Sequence, residues 1–334
     1  MRRFSTAGLI WALAIVLPAV SLLSMTVGTV SISVGDLFAA DNSQTQTILF
    51  DIRLPRILLA ICVGAVLSST GAVMQGLFRN PLADPSLIGV SSGASVGASL
   101  MIVAAGGFIH SGALLGLSLV AVGAFIGGFV ATLVVYRLAT SGIGTSVTTM
   151  LLAGIAIAAI AGALNSLLSY FSDNDMLRQI SLWQMGNLSG ASWTKVSIMA
   201  SVALLLMSLF PRDSRALNAL LLGESEARHL GVDVQAVKRR LIILTALGVG
   251  VCVALAGLVG FVGLIIPHIV RLAIGPDHRW LIPASALAGA TLLVIADSLA
   301  RVVVVPAELP TGILTALLGA PFFFALLLQQ RKQV

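Results

Sequence analysis

Blocks of about 20 apolar residues recur along this chain with few charges inside them, and such a block is long enough to cross a bilayer as a helix. A soluble domain carries about 25% charged residues. Here 10% are charged and 58% are hydrophobic, and the mean hydropathy is +1.05. That leaves too little polar surface to coat a soluble particle of 334 residues. A membrane barrel would show short strands of alternating polarity, and these blocks do not alternate. The fold class is therefore an all-α polytopic membrane protein with about ten transmembrane helices. They fall at 7–30, 55–77, 87–106, 112–137, 147–169, 194–210, 241–260, 262–275, 281–300 and 311–328.

Two spans are unusual. The first follows Arg2 and Arg3 and resembles a signal peptide, but its apolar run is too long and no small-residue cleavage site comes after it. It reads as a retained span. The eighth, GLIIPHIVRLAIG, holds Pro267, His268 and Arg271. A proline there frees a backbone carbonyl, which is tolerated where protein or a cavity satisfies it.

The net charge of +6 is a matter of topology rather than of nucleic-acid binding, since no basic and aromatic face exists. With the N-terminus inside, ten spans place Arg79, Arg137, the insert at 211–240, Arg279, Arg331 and Lys332 on the inner side. Arg53, Arg56, Arg178, Lys195 and Arg301 fall outside. The excess puts both termini in the cytoplasm. Cys62 and Cys252 lie in apolar spans without metal-ligand spacing and read as packing residues.

The chain reads as one transmembrane domain, 1–334, with 211–240 inserted in it. The spans should pack through small residues, since lipid offers no hydrophobic drive between helices. Gly89, Gly93 and Gly97 form one such stripe, and Gly123 and Gly127 another. A faint echo links 53–76 and its small-rich successor at 90–100 with 238–260 and 283–293. The span count runs these halves in opposite directions, as in inverted-repeat transporters.

Four polar features stand out. The insert PRDSRALNALLLGESEARHLGVDVQAVKRR, 211–240, reads as two short helices. Leu217, Leu220 and Leu221 form an apolar face, Gly223 breaks the helix, and Glu224, Glu226, Arg228 and His229 come next, up to Gly231. Acid-first, base-last order suits the helix dipole. By residues alone this is either a membrane-surface loop or a docking pair for a cytoplasmic partner. RLPR at 53–56 puts Pro55 near a helix start between two arginines that a helix N-terminus does not favour. Lipid headgroups or carboxylates of an external protein would balance them. Asp297 and Arg301 are spaced for an i,i+4 ion pair. RNPLADPSLIG at 79–89 is a stiff turn in which Asn80 and Asp84 can cap the next helix. Of the histidines, His268 is the one whose broken span suggests a cavity, whereas His110, His229 and His278 fall near interfaces. No HExxH, CxxC or glycine-rich phosphate loop occurs.

Together these residues resemble the FecCD or BtuC-type permeases of bacterial ABC importers for vitamin B12, iron-siderophores and haem. The matching stretches are RLPR at 53–56, GAVMQGLFRNPLADPSLIGVSSGA at 71–94, LLAGIA at 151–156, LGESEARHLGV at 222–232, GFVGLIIPHIVRL at 260–272, DHRWLIPASALAGA at 277–290, ADSLAR at 296–301 and ELPTGILTALLGAPFF at 308–323. They run from the second span to the last. The resemblance implies an inverted-repeat, type II importer fold and a homodimer in the inner membrane, set in lipid around a central path. It implies two cytoplasmic ATP-binding subunits, which hold the ATP and Mg, docked against Leu222, Gly223, Glu224, Glu226, Arg228, His229 and Gly231. It implies a periplasmic binding protein over Arg53, Arg56 and Arg301, and an inner gate of Asn80, Leu82, Val147 and Thr148. The segment at 173–193 is similar to the haem branch, where Arg178 would meet a propionate, with Met74, Met150, Met185 and His268 along the path. The resemblance further implies a transport subunit without its own ATPase site, cofactor or metal, carrying haem as substrate. A ferric siderophore or cobalamin is the alternative cargo. An ion-coupled secondary transporter is the alternative class, although Asp297 is nearly the only mid-span carboxylate it would have.

Overall fold

Lipid cannot hydrogen-bond a backbone, so every buried segment of such a chain must satisfy itself as helix. The computed structural model bears this out over the residues it describes, 5–28, 30, 43–104, 113–142 and 144–331. Arg2, Arg3, His110 and Lys332 lie outside the described residues, as does the side chain of Arg331. Among the described residues, seven helices are long and apolar enough to cross a membrane. Three shorter apolar helices, Val90–Ala104, Val262–Ile274 and Thr311–Ala325, bring the set to the expected ten.

In chain order the helices are α1 (Thr6–Thr26), α2 (Leu54–Leu77), α3 (Val90–Ala104), α4 (Ala113–Ala139), α5 (Val147–Tyr170), α6 (Asn174–Gln184), α7 (Trp193–Leu209), α8 (Ser214–Leu222), α9 (Glu224–His229), α10 (Val234–Ala256), α11 (Val262–Ile274), α12 (His278–Ala300) and α13 (Thr311–Arg331). A small hairpin, β1 (Thr140–Ser141) and β2 (Gly144–Thr145), joins α4 to α5 with Thr140 opposite Thr145.

Three regions differ from expectation. The second helix opens at Leu54, beside Pro55 as expected, but a π-helical segment, Thr47–Arg53, leads into it. Proline has no N–H for the regular ladder, and Pro55 stands just past this change of register. The seventh span begins at Val234, because Asp233 accepts a cap from the Ala236 N–H at 3.0 Å. It ends at Ala256, where Gly257 turns to φ 69°. The segment at 173–193 contains a further helix, α6, capped by Asp173 on the Met176 N–H at 2.8 Å.

The described residues form two compact units, each drawn from separate stretches of chain. The first takes 1–72, 187–214 and 259–334; the second takes 73–186 and 215–258. In the first unit α2 meets α12 where Gly64 faces the backbone of Gly289, so neither position has room for a Cβ. Pro267 removes the N–H that would bond the Gly263 carbonyl four residues back. That carbonyl is the atom a Cβ on Gly71 would strike. The broken span therefore lodges its freed carbonyl against a bare stretch of α2.

In the second unit the predicted small-residue stripes find each other. Gly93 packs on Gly127 and Gly97 on Gly123, backbone to backbone, which seats α3 on α4. One amide then ties α5 to α3: Asn165 Nδ2 donates to Ser95 Oγ at 2.8 Å, and Ser99 Oγ donates to Asn165 Oδ1 at 2.7 Å.

Candidate coupling and docking sites

The polar insert folds as two short helices that meet at Gly223. Leu217 and Leu220 on α8 are fully buried, and α8 from Arg215 onward belongs to the second unit. Gly223 adopts φ 135°, and a Cβ there would collide with the Glu226 carboxylate. The chain can thus turn sharply into α9 only at a glycine. Glu224 and Glu226 occupy the first turn of α9 and Arg228 and His229 the last, the order that suits the dipole. Gly231 closes the helix at φ 83°. There Val232 N–H bonds Ala227 O at 3.0 Å and Gly231 N–H bonds Arg228 O at 2.9 Å, a paired closure of the last turn. Leu222 and Leu230 flank α9 and are 68% and 65% exposed.

Beneath α9 the charges are not all at the surface. Lys238 of α10 is 2% exposed, and its Nζ donates to Glu224 Oε1 at 2.6 Å and to Thr145 O at 2.9 Å. Arg228 reaches Glu224 only at 4.0 Å, a solvent-facing pair of little weight.

The predicted gate residues gather nearby in part. Ser146 caps α5 through the Thr149 N–H at 3.3 Å, which places Val147 and Thr148 in its first turn. Both line a polar cavity of about 590 Å³ with Arg79, Glu224, Arg228 and Gln235. Asn80 and Leu82 are not in its wall. They form the turn after Arg79, where Asn80 Oδ1 accepts from the Leu82 N–H at 2.9 Å. Asp84 caps the short 3-10 turn Pro85–Ile88 through Ser86 at 2.8 Å.

In the first unit the three arginines expected to face outward are instead bonded inside the chain. Arg56 is 4% exposed, and its Nε donates to Asp297 Oδ1 and Oδ2 at 3.0 and 2.9 Å. Its Nη1 donates to Glu308 Oε2 at 2.7 Å. Arg53 donates to the carbonyls of Met25 and Val30. Arg301 donates to Val27 O at 2.9 Å, Ser24 O at 3.1 Å and Ser24 Oγ at 2.6 Å. Arg53 and Arg301 thus cap carbonyls at the end of α1 that no further turn satisfies. The expected i,i+4 pair of Asp297 and Arg301 is loose at 3.5 Å. The tight partner of Asp297 is Arg56, and Thr311 Oγ1 adds a bond at 3.1 Å. The carboxylates that balance Arg56 of the RLPR motif come from this chain.

The predicted path residues divide. Arg178 and Met185 are exposed and lie seven residues apart along α6 and its cap, a spacing that sets them on one face. His268 is half-buried in α11 of the first unit. Met74 and Met150 do not line an open route: both are fully buried in the second unit and serve as core packing. Sequence reading also missed Lys238, Gln235, Asn165 and Glu308. Lys238 lay inside a basic run, where nothing distinguishes a buried lysine from a solvated one.

Seven long and three shorter apolar helices, with a polar helix pair inserted among them, make a polytopic membrane protein. The chain belongs to the FecCD transport family, which matches residues 15–329. It is 46% identical over 322 residues to the hemin transport system permease protein HmuU of Yersinia pestis, covering 96% of this chain and 95% of that one. It is 43% identical over 311 residues to the vitamin B12 import system permease protein BtuC of Escherichia coli O9:H4 (strain HS), covering 93% and 92%. Among solved structures, it is similar to one described as an inward-facing conformation of a metal-chelate type ABC transporter. The TM-score is 0.86 at 35% identity, covering 97% of this chain and 99% of that chain. The protein is an integral membrane permease of the FecCD/BtuC type.

Proposed function

We propose that this chain is the permease subunit of an ATP-driven importer in a bacterial inner membrane, and that its cargo is haem. The observation that carries the reading is 46% identity to a hemin permease over nearly the whole of both chains. The exposed pair of Arg178 and Met185 on α6 supports it, offering a cation for a propionate and a soft apolar surface for a flat ring. The chain works as a homodimer with both termini in the cytoplasm. Two ATP-binding subunits, which hold ATP and Mg, dock against Leu222, Gly223, Glu224, Glu226, Arg228, His229 and Gly231. Their closure moves α8 and α9. The turn at Asn80 and Leu82 and the first turn of α5 at Val147 and Thr148 form the inner gate.

A periplasmic binding protein docks on the face organised by Arg53, Arg56 and Arg301. Because these guanidiniums are bonded internally, their part is to hold that face in shape. Cobalamin is the second reading, favoured by the identity to vitamin B12 permeases.

The test is reconstitution with the cognate ATP-binding subunits and binding protein in proteoliposomes, loaded in turn with hemin, cyanocobalamin and a ferric siderophore. ATP-dependent uptake of hemin alone is expected. Uptake of cyanocobalamin in preference to hemin replaces the cargo. Uptake driven by an ion gradient without ATP-binding subunits removes the importer.

A further inference from the structure

A buried lysine needs partners, because an unpaired ammonium away from water is expensive. The two that Lys238 has chosen belong to different machinery. Glu224 is the first residue of α9, and Thr145 closes the hairpin that runs into α5. Thr145 is held twice. Its C=O accepts from Lys238 Nζ at 2.9 Å, and its N–H donates to Gln235 Oε1 at 3.0 Å. Lys238 and Gln235 lie three residues apart on α10, on one face. Two side chains of a single helix thus take both backbone groups of one residue, two positions before Val147. The hairpin is fastened from within as well, since Thr140 Oγ1 and Thr145 Oγ1 meet at 3.0 Å and the Ser146 N–H reaches Ala139 O at 2.9 Å.

We infer that Lys238 is a positioning residue, a strut that joins α9 to the first turn of α5 through Thr145, so that a displacement of α9 is carried to Val147 and Thr148. The chain of contact is unbroken: Glu224 Oε1, Lys238 Nζ, Thr145 O, and two residues of backbone. Every member lies in the second compact unit. The ion pair is a poor candidate for a surface ornament, since the lysine is 2% exposed and the glutamate side chain 32%. Glu224 then serves two purposes: one oxygen stays near the docking surface while the other grips the strut. The transmission half of this inference rests on the proposed coupling role of α8 and α9. The tie itself does not.

The experiment has two arms. In the first, the full chain in nanodiscs is compared with Lys238→Met by hydrogen exchange. Removing the ammonium should accelerate exchange at least tenfold both at 144–148 and at 224–229. Unchanged protection in either segment overturns the tie. Should Lys238→Met not yield folded protein, Glu224→Gln, which keeps the size and an acceptor oxygen, should give the same pattern at smaller amplitude, and its absence is equally fatal. In the second arm, the complete transporter with its ATP-binding subunits is assayed for ATP hydrolysed and substrate moved. Lys238→Met should hydrolyse within twofold of wild type but move at least fivefold less substrate per ATP, and Lys238→Arg should retain more than half of wild-type coupling. Wild-type stoichiometry in Lys238→Met overturns transmission. If the wild-type chain moves substrate without those subunits, the importer reading fails and transmission fails with it, while the exchange arm still decides the tie.

Discussion

Replacing Arg56 with methionine should cost the fold about 3–5 kcal/mol, whereas replacing Glu308 with glutamine should cost less than about 1 kcal/mol, though both remove a charge from the same network. The difference comes from where each charge sits. The Arg56 and Asp297 side chains are 5% and 1% exposed, and the guanidinium Nε contacts both carboxylate oxygens within 3.0 Å. Arg56→Met strands Asp297 with Thr311 and a loose contact to Arg301 at 3.5 Å. The Glu308 side chain is 32% exposed, so water can take over much of its work. A double-mutant cycle separates the pairs: coupling between 56 and 297 should reach about 2–3 kcal/mol, and between 56 and 308 should stay below about 1 kcal/mol. Unfolding would be followed by helical circular dichroism in mild detergent with graded denaturing detergent. The single change Asp297→Leu should be as harmful as Arg56→Met, and the two combined should cost about 2–3 kcal/mol less than the sum of the single losses. Additive losses, or equal coupling for both carboxylates, would refute the claim that burial of the Arg56–Asp297 pair sets its weight.

Gly97→Leu should abolish monodisperse protein, since its side chain would enter the Gly123 backbone. Gly142→Ala, which meets nothing within 4 Å, should leave the size-exclusion profile unchanged. Leu222→Asp combined with Leu230→Asp should lower co-purification of the ATP-binding subunits at least tenfold without changing the thermal stability of the isolated chain, because both side chains project from the fold. A stability loss above about 1 kcal/mol would show that these leucines pack internally instead.

Local pattern was the part of this fold legible in the sequence. Apolar blocks gave the helices, glycines at four-residue spacing gave the α3–α4 contact, and the polar insert gave α8 and α9 with their break at Gly223. Features that depend on distant pairing were hidden. Asp297 has Arg301 four residues away, and that spacing points to the wrong partner. Its tight contact lies 241 positions back along the chain at Arg56. The same distance concealed why the RLPR arginines need no external carboxylate. Helix α6 escaped notice because its composition is amphipathic rather than apolar, and a search for spans passes over it. Met74 and Met150 were legible as apolar but not as buried, since an unbranched side chain fits a core or a path equally well. Lys238 shows the limit most plainly: a basic run announces charge, and only packing decides which of its members water never reaches.

The arginine clamps on α1 carry a consequence for how the molecule is made. A helix whose closing carbonyls wait for Arg53 and Arg301 receives its first clamp soon after synthesis, but the second lies 274 residues downstream. A segment made early is thus among the last to be locked into place. Until then it is held by one arginine and by lipid, and a truncated chain ending before Arg301 should carry a loosely tethered first helix open to membrane quality control.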